Sequence, residues 1–137
     1  MKPTYLLLLG ALLSFCPQDI QAQEAEEVDP IHQPIFTDKD KDFLQMWYYE
    51  QILKMDLDED GRDNYRTLLT YYTYRMGKLP LPKYEYSDAE QKKRFDALVV
   101  KCNEEMKELL TEANYAIHLK SFTTIVEKVY KAKEWAK

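Results

Sequence analysis

The acidic residues of the stretch Lys54 to Thr67, KMDLDEDGRDNYRT, come nearest to a chemical site in this chain. Asp56, Asp58 and Asp60 alternate and Gly61 follows, the pattern that begins the loop of a calcium-binding helix–loop–helix. Counted from Asp56, the carboxylates fall at positions 1, 3 and 5 and the glycine at 6. The second half departs from that loop. Asp63 stands where an apolar residue is usual, and Thr67 occupies position 12, where a bidentate glutamate closes the shell. The same residues also read as a helix start. Asp58 is then the N-cap, and Glu59 and Asp60 lie in the first turn, where the positive end of the helix dipole stabilises negative charge. The calcium reading keeps Asp56, Asp58 and Asp60 as ligands; the helix-start reading explains them without an ion and is the one adopted.

No other chemistry is spelled out, and the chain reads as a non-enzyme without a cofactor. His32 and His118 stand apart with no HxxxH or Cys/His cluster, so a transition-metal site is not indicated. His118 neighbours an apolar stripe and reads as a boundary residue. Ser87 looks like a helix cap, Ser121 has no identifiable base, and no glycine-rich phosphate loop occurs. The carboxylates lie in mixed runs such as NEEMKE, the mark of a solvated helix face. The 11 tyrosines are more pointed. Tyr71, Tyr72 and Tyr74 cannot all face one core stripe. Either they flank a thin core, where amphipathic rings tolerate a half-wet position, or they form a surface that binds other proteins.

The ends bound where such a protein works. Lys2 followed by the apolar run Tyr5 to Phe15, with small Ala22 before Gln23, has the form of a secretory signal over residues 1–22. That run is too short to span a bilayer, and no second run is apolar enough to do so. The expected location is therefore the periplasm or outside the cell. Acylation of Cys16 as a lipoprotein is the lesser option, because bulky Phe15 precedes it. Residues 23–36, QEAEEVDPIHQPIF, are acidic at first, contain two prolines and read as a flexible leader. A formal charge of −5 without a basic stripe argues against nucleic acid and anionic lipid as partners. Beyond the signal only Cys102 remains, in line with Phe95, Val99 and Met106, so it reads as a buried thiol, the alternative being an intermolecular bridge.

Residues 37–137 form one helical domain. Nothing alternates with period two for long enough to make a sheet, and four segments carry helical stripes. The first starts near Thr37 or Asp40 and runs to about Met55, with Phe43, Leu44, Trp47, Tyr48, Ile52 and Met55 on a broad apolar face. The second begins at Asp58 and is expected to end at Gly77 as a C′ glycine, with Tyr65, Leu68, Leu69, Tyr72 and Met76 in line. Gly77 to Tyr86, with prolines at 80 and 82, is a loop. Ser87 and Glu90 then form a capping box for the third helix. Thr111 is the candidate N-cap of the fourth, with Leu110 and Tyr115 as its hydrophobic staple. No Pro or Gly separates the last two, which leaves a continuous or kinked helix open. The fold class is all-α, a helical hairpin or small bundle.

Two junctions echo each other. LDEDG (Leu57 to Gly61) and LTEAN (Leu110 to Asn114) each place a leucine before a capping residue and a first-turn acid. They resemble degenerate copies of the LTxxQ motif, which marks a family of small exported helical proteins that includes the Spy and CpxP stress chaperones. Leu110 and Thr111 match, and Asn114 stands for the glutamine; Leu57 matches, while Asp58 stands for the threonine and Gly61 for the glutamine. The resemblance covers most of residues 40–130. It implies a helical hairpin, often paired into a homodimer, that binds unfolded or partner proteins. An adaptor that docks one specific partner is the alternative.

Overall fold

A computed structural model describes residues 29–135; the signal-like segment 1–22 and residues 23–28 of the leader lie outside the described residues. Four helices follow one another: α1 (Asp38–Lys54), α2 (Glu59–Lys78), α3 (Asp88–Leu109) and α4 (Glu112–Ala132). No strand occurs among the described residues. Each helix starts on the residue whose side chain can satisfy an open backbone N–H: Thr37, Asp58, Ser87 and Thr111 all accept a bond from the N–H three residues on. The complete reciprocal box is at Thr37, where Asp40 bonds back to the cap's own N–H. At Ser87 the reciprocal half is missing, because Glu90 turns to Arg94 Nε at 2.8 Å.

The third and fourth helices are separate. Leu110 adopts an extended backbone (φ −100°, ψ 153°), and Thr111 opens α4 afresh. The C′ expectation for Gly77 is corrected. α2 continues through it to Lys78, no glycine has positive φ among the described residues, and the helix stops because Pro80 brings no N–H to extend it.

The connection after α2 folds through a short 3-10 turn, Pro82–Tyr84, and leaves Glu85 left-handed at φ 54°. α2 lies along α3, α4 packs on α3, and α1 closes onto α4. With short connections this is an up-down-up-down bundle. One end gathers the two junctions: the side-chain amide of Asn114 meets both the N–H and the C=O of Asp56, each at 3.3 Å. The other end gathers the start of α1, the α2–α3 connection and the end of α4. There His32 Nδ1 meets Pro80 O at 2.9 Å, Gln91 Nε2 donates to Ile31 O at 2.9 Å, and Trp135 Nε1 donates to the Asp88 carboxylate.

The leader therefore differs from its reading as a flexible segment. From Asp29 onward it is docked, with a 3-10 turn at Pro30–His32 and Ile35 buried in the core. The prolines that suggested looseness fix φ in a bend, and Ile35 supplies the apolar anchor.

Candidate functional site

The centre of the bundle holds a polar cluster that the sequence places at a boundary. His118 is fully buried rather than half exposed. Its Nε2 faces Asn103 Oδ1 at 3.0 Å, and its Nδ1 faces the Tyr65 hydroxyl at 2.9 Å. A side-chain carbonyl only accepts, so Nε2 carries the proton and Nδ1 accepts from Tyr65. Phe122 stacks on the imidazole with centroids 5.2 Å apart, and Tyr65 meets it edge-on. Burial pulls the His118 pKa down to about 4, so the ring is neutral at neutral pH. Burial likewise pushes the neighbouring Cys102 thiol up to about 12 and raises the Tyr65 phenol. Tyr65, Cys102 and His118 are each 0% exposed, so the set is closed to solvent, and the Tyr65–His118–Asn103 bonds satisfy the buried imidazole.

The residues singled out at the junctions do structural work. Asp58 Oδ1 accepts from Gly61 N at 2.7 Å, and a Cβ on residue 61 would sit 2.9 Å from that same oxygen. Glycine thus lets the cap close, where a glutamine would press on it. Asp56 and Asp60 are not drawn in: among the described residues no three His, Cys, Asp or Glu side chains gather as a metal cage. Asn114, in the glutamine position of the second junction, does not close a box around Thr111. Its side chain crosses to Asp56 and ties the two junctions together, with its own N–H bonded to Thr111 Oγ1 at 3.2 Å. Leu110 is buried and Leu57 half-buried beside the core.

The three tyrosines of α2 divide. Tyr72 is core, 2% exposed, and its hydroxyl donates to Glu105 Oε1 at 2.6 Å. Tyr71 and Tyr74 lie on the outside, each beneath a cation one helical turn on: Arg75 over Tyr71 and Lys78 over Tyr74. The expected aromatic surface therefore loses Tyr72 and keeps the other two.

The larger exposed apolar surface belongs to α1. Its inner face buries Trp47 and Gln51, and Ser121 donates to Gln51 Oε1 at 2.7 Å. Its outer face carries Met46, Tyr49 and Leu53 at i, i+3 and i+7, with 66, 58 and 85% of their surface exposed. Phe43 extends the stripe, with Lys128 Nζ over its ring. A helix apolar on both sides has no single amphipathic face. The face read from the sequence, Phe43, Leu44, Trp47, Tyr48, Ile52 and Met55, leaves out Met46, Tyr49 and Leu53, although their i, i+3, i+7 recurrence is already present in the sequence.

No family model, no curated protein and no solved structure matches this chain, so the LTxxQ resemblance gains no support from them.

Proposed function

We propose that this is an exported, non-enzymatic helical protein that holds unfolded or partner polypeptides against the outer face of α1. The observation that carries the reading is the second apolar stripe, Met46, Tyr49 and Leu53, on a helix whose core face is already occupied. Lone exposed apolar residues are ordinary, but a helical row of them invites a cover. Covering each side chain is worth roughly 1.5–3 kcal/mol, while association costs at least about 4 kcal/mol. A single apolar segment would then bind weakly and exchange quickly, which suits transient holding. The signal-like N-terminus and the LTxxQ-like junctions favour the same role.

The test is light scattering of a chemically unfolded, aggregating client mixed with this protein in several-fold excess. Suppression is expected, with its loss in the double variant Met46→Glu, Leu53→Glu at unchanged thermal stability. No suppression by the unaltered protein would remove the holding role and leave the adaptor. That second reading rests on the size of the stripe, confined to one helix about 25 Å long, which fits a single groove on one partner.

A further inference from the structure

A groove runs between the last turns of α2 and the first half of α3, beside the loop that joins them, and encloses about 380 Å³. Four cations line it, Arg75, Lys78, Arg94 and Lys101, and no carboxylate does, in a chain with 24 acidic against 19 basic residues. Arg94 pairs with Glu90, whereas Arg75, Lys78 and Lys101 have no ion pair among the described residues. Three tyrosines, 74, 84 and 86, make the walls, and Leu79 and Leu98 also line the groove.

The cations are held over these rings. Lys78 Nζ lies 4.8 Å from the centroid of Tyr74, and Arg94 Cζ lies 4.2 Å from that of Tyr86. Tyr84 and Tyr86 stack with centroids 5.4 Å apart and planes within 7°. The residue between them, Glu85, is left-handed at φ 54°, a conformation that side-chain-bearing residues rarely adopt and that brings the two rings to one side.

Helix electrostatics account for only part of this. Arg75 and Lys78 suit the negative C-terminal end of α2. Arg94 and Lys101 gain nothing of the kind, because Arg94 lies in the second turn of α3, near its positive end, and Lys101 lies mid-helix. The arrangement instead suits a ligand that brings its own carboxylates. Arginine offers a planar fork to a carboxylate, and tyrosine offers a flat face and a hydroxyl to a polypeptide backbone. The net charge of −5 repels a long polyanion from the rest of the molecule, so a short acidic stretch fits better than a nucleic acid or a charged membrane.

We propose that the groove between α2 and α3 docks a short acidic segment of a partner polypeptide, its carboxylates pairing with Arg75, Lys78 and Lys101 and its backbone lying on the Tyr84–Tyr86 stack. The site uses no residue of α1, so its test stands independently of client holding.

The probe is a fluorescein-labelled peptide of alternating glutamate and tyrosine, followed by anisotropy against the full chain. Its glutamine-for-glutamate and lysine-for-glutamate counterparts are the comparisons. Binding of the glutamate peptide is expected to be at least tenfold tighter than that of the glutamine peptide and to weaken as salt rises. The double variant Arg75→Glu, Lys101→Glu, both at exposed positions, is expected to lose at least tenfold for the glutamate peptide and to gain affinity for the lysine peptide. Lys107→Glu, exposed on α3 but outside the groove, is expected to change affinity less than twofold. Equal affinity for the glutamate and glutamine peptides, an equal loss in Lys107→Glu, or tighter binding of a short DNA duplex or an anionic lipid vesicle would overturn the proposal.

Discussion

At the scale of single residues, His118 makes the stability of this protein depend on pH. Its folded pKa is near 4, against an ordinary value near 6.5, because burial disfavours the imidazolium. Between those values the unfolded chain takes up a proton that the folded chain refuses, so stability is full above about pH 6.5 and falls as pH drops towards 4. The difference amounts to about 3 kcal/mol once complete. Urea midpoints measured across that window should fall for the natural protein, and a His118→Gln variant should lack that part of the decline; parallel curves would refute the assignment. Cys102 behaves as the inert counterpart. With no exposure and a pKa pushed up to about 12, it offers almost no thiolate at pH 8. In a chain beginning at Gln23, a thiol-reactive dye should label nothing in the native state and one site in denaturant. Non-reducing electrophoresis should show a single-chain band, since a bridge through Cys102 requires the bundle to open.

At the scale of elements, Gly77 offers a sharp comparison. It is helical, without positive φ, and the nearest atom to a new Cβ there is Phe36 Cδ2 at an ordinary 3.8 Å. Gly77→Ala should therefore raise stability by roughly 0.5–1 kcal/mol, through helix propensity and a less flexible unfolded chain. Thermal melting checks it, and a loss would mean the position needs a glycine after all. The helices are legible because local signals mark them: Asp58, Ser87 and Thr111 are short polar residues placed before apolar periodicity and each is the cap, and of the two starts open for the first helix, Thr37 and Asp40, Thr37 is the cap. What could not be read locally was which side of a helix meets what. The imidazole of His118 is polar, and only the arrival of Tyr65 and Asn103 from other helices makes its burial affordable. The α2–α3 groove was hidden for the same reason. Arg75 and Lys101 lie far apart in sequence, and only the packing of α2 on α3 brings them to one groove. The expected C′ at Gly77 puts the C-cap of α2 at Met76, three residues before the observed Leu79, because a glycine near a helix end resembles a C′ glycine whether or not the chain turns left-handed there.

At the scale of the whole molecule, the two ends of the bundle are closed by different means. The junction end relies on caps and on the Asn114–Asp56 link. The opposite end relies on residues 29–36, which bring the Ile31 carbonyl to Gln91, the His32 ring to Pro80 and the Ile35 side chain into the core, while Lys133 at the end of α4 reaches Gln33 O. If that segment belongs to the fold, removing its anchor must weaken the bundle as one unit. Ile35 is 4% exposed, so Ile35→Ala should cost about 2–4 kcal/mol, the usual range for a buried isoleucine. For a domain of this size that lowers the melting temperature by about 10 °C or more. Ile31, 37% exposed, engages Gln91 through its backbone carbonyl, which Ile31→Ala preserves, and that variant should cost less than about 1 kcal/mol. Calorimetry of the two variants side by side decides the matter. A single transition shifted strongly in Ile35→Ala and weakly in Ile31→Ala makes the segment a structural closure. An unshifted Ile35→Ala would return residues 29–36 to the role of a loose leader and leave the end formed by Pro80, Gln91 and Trp135 without a cover.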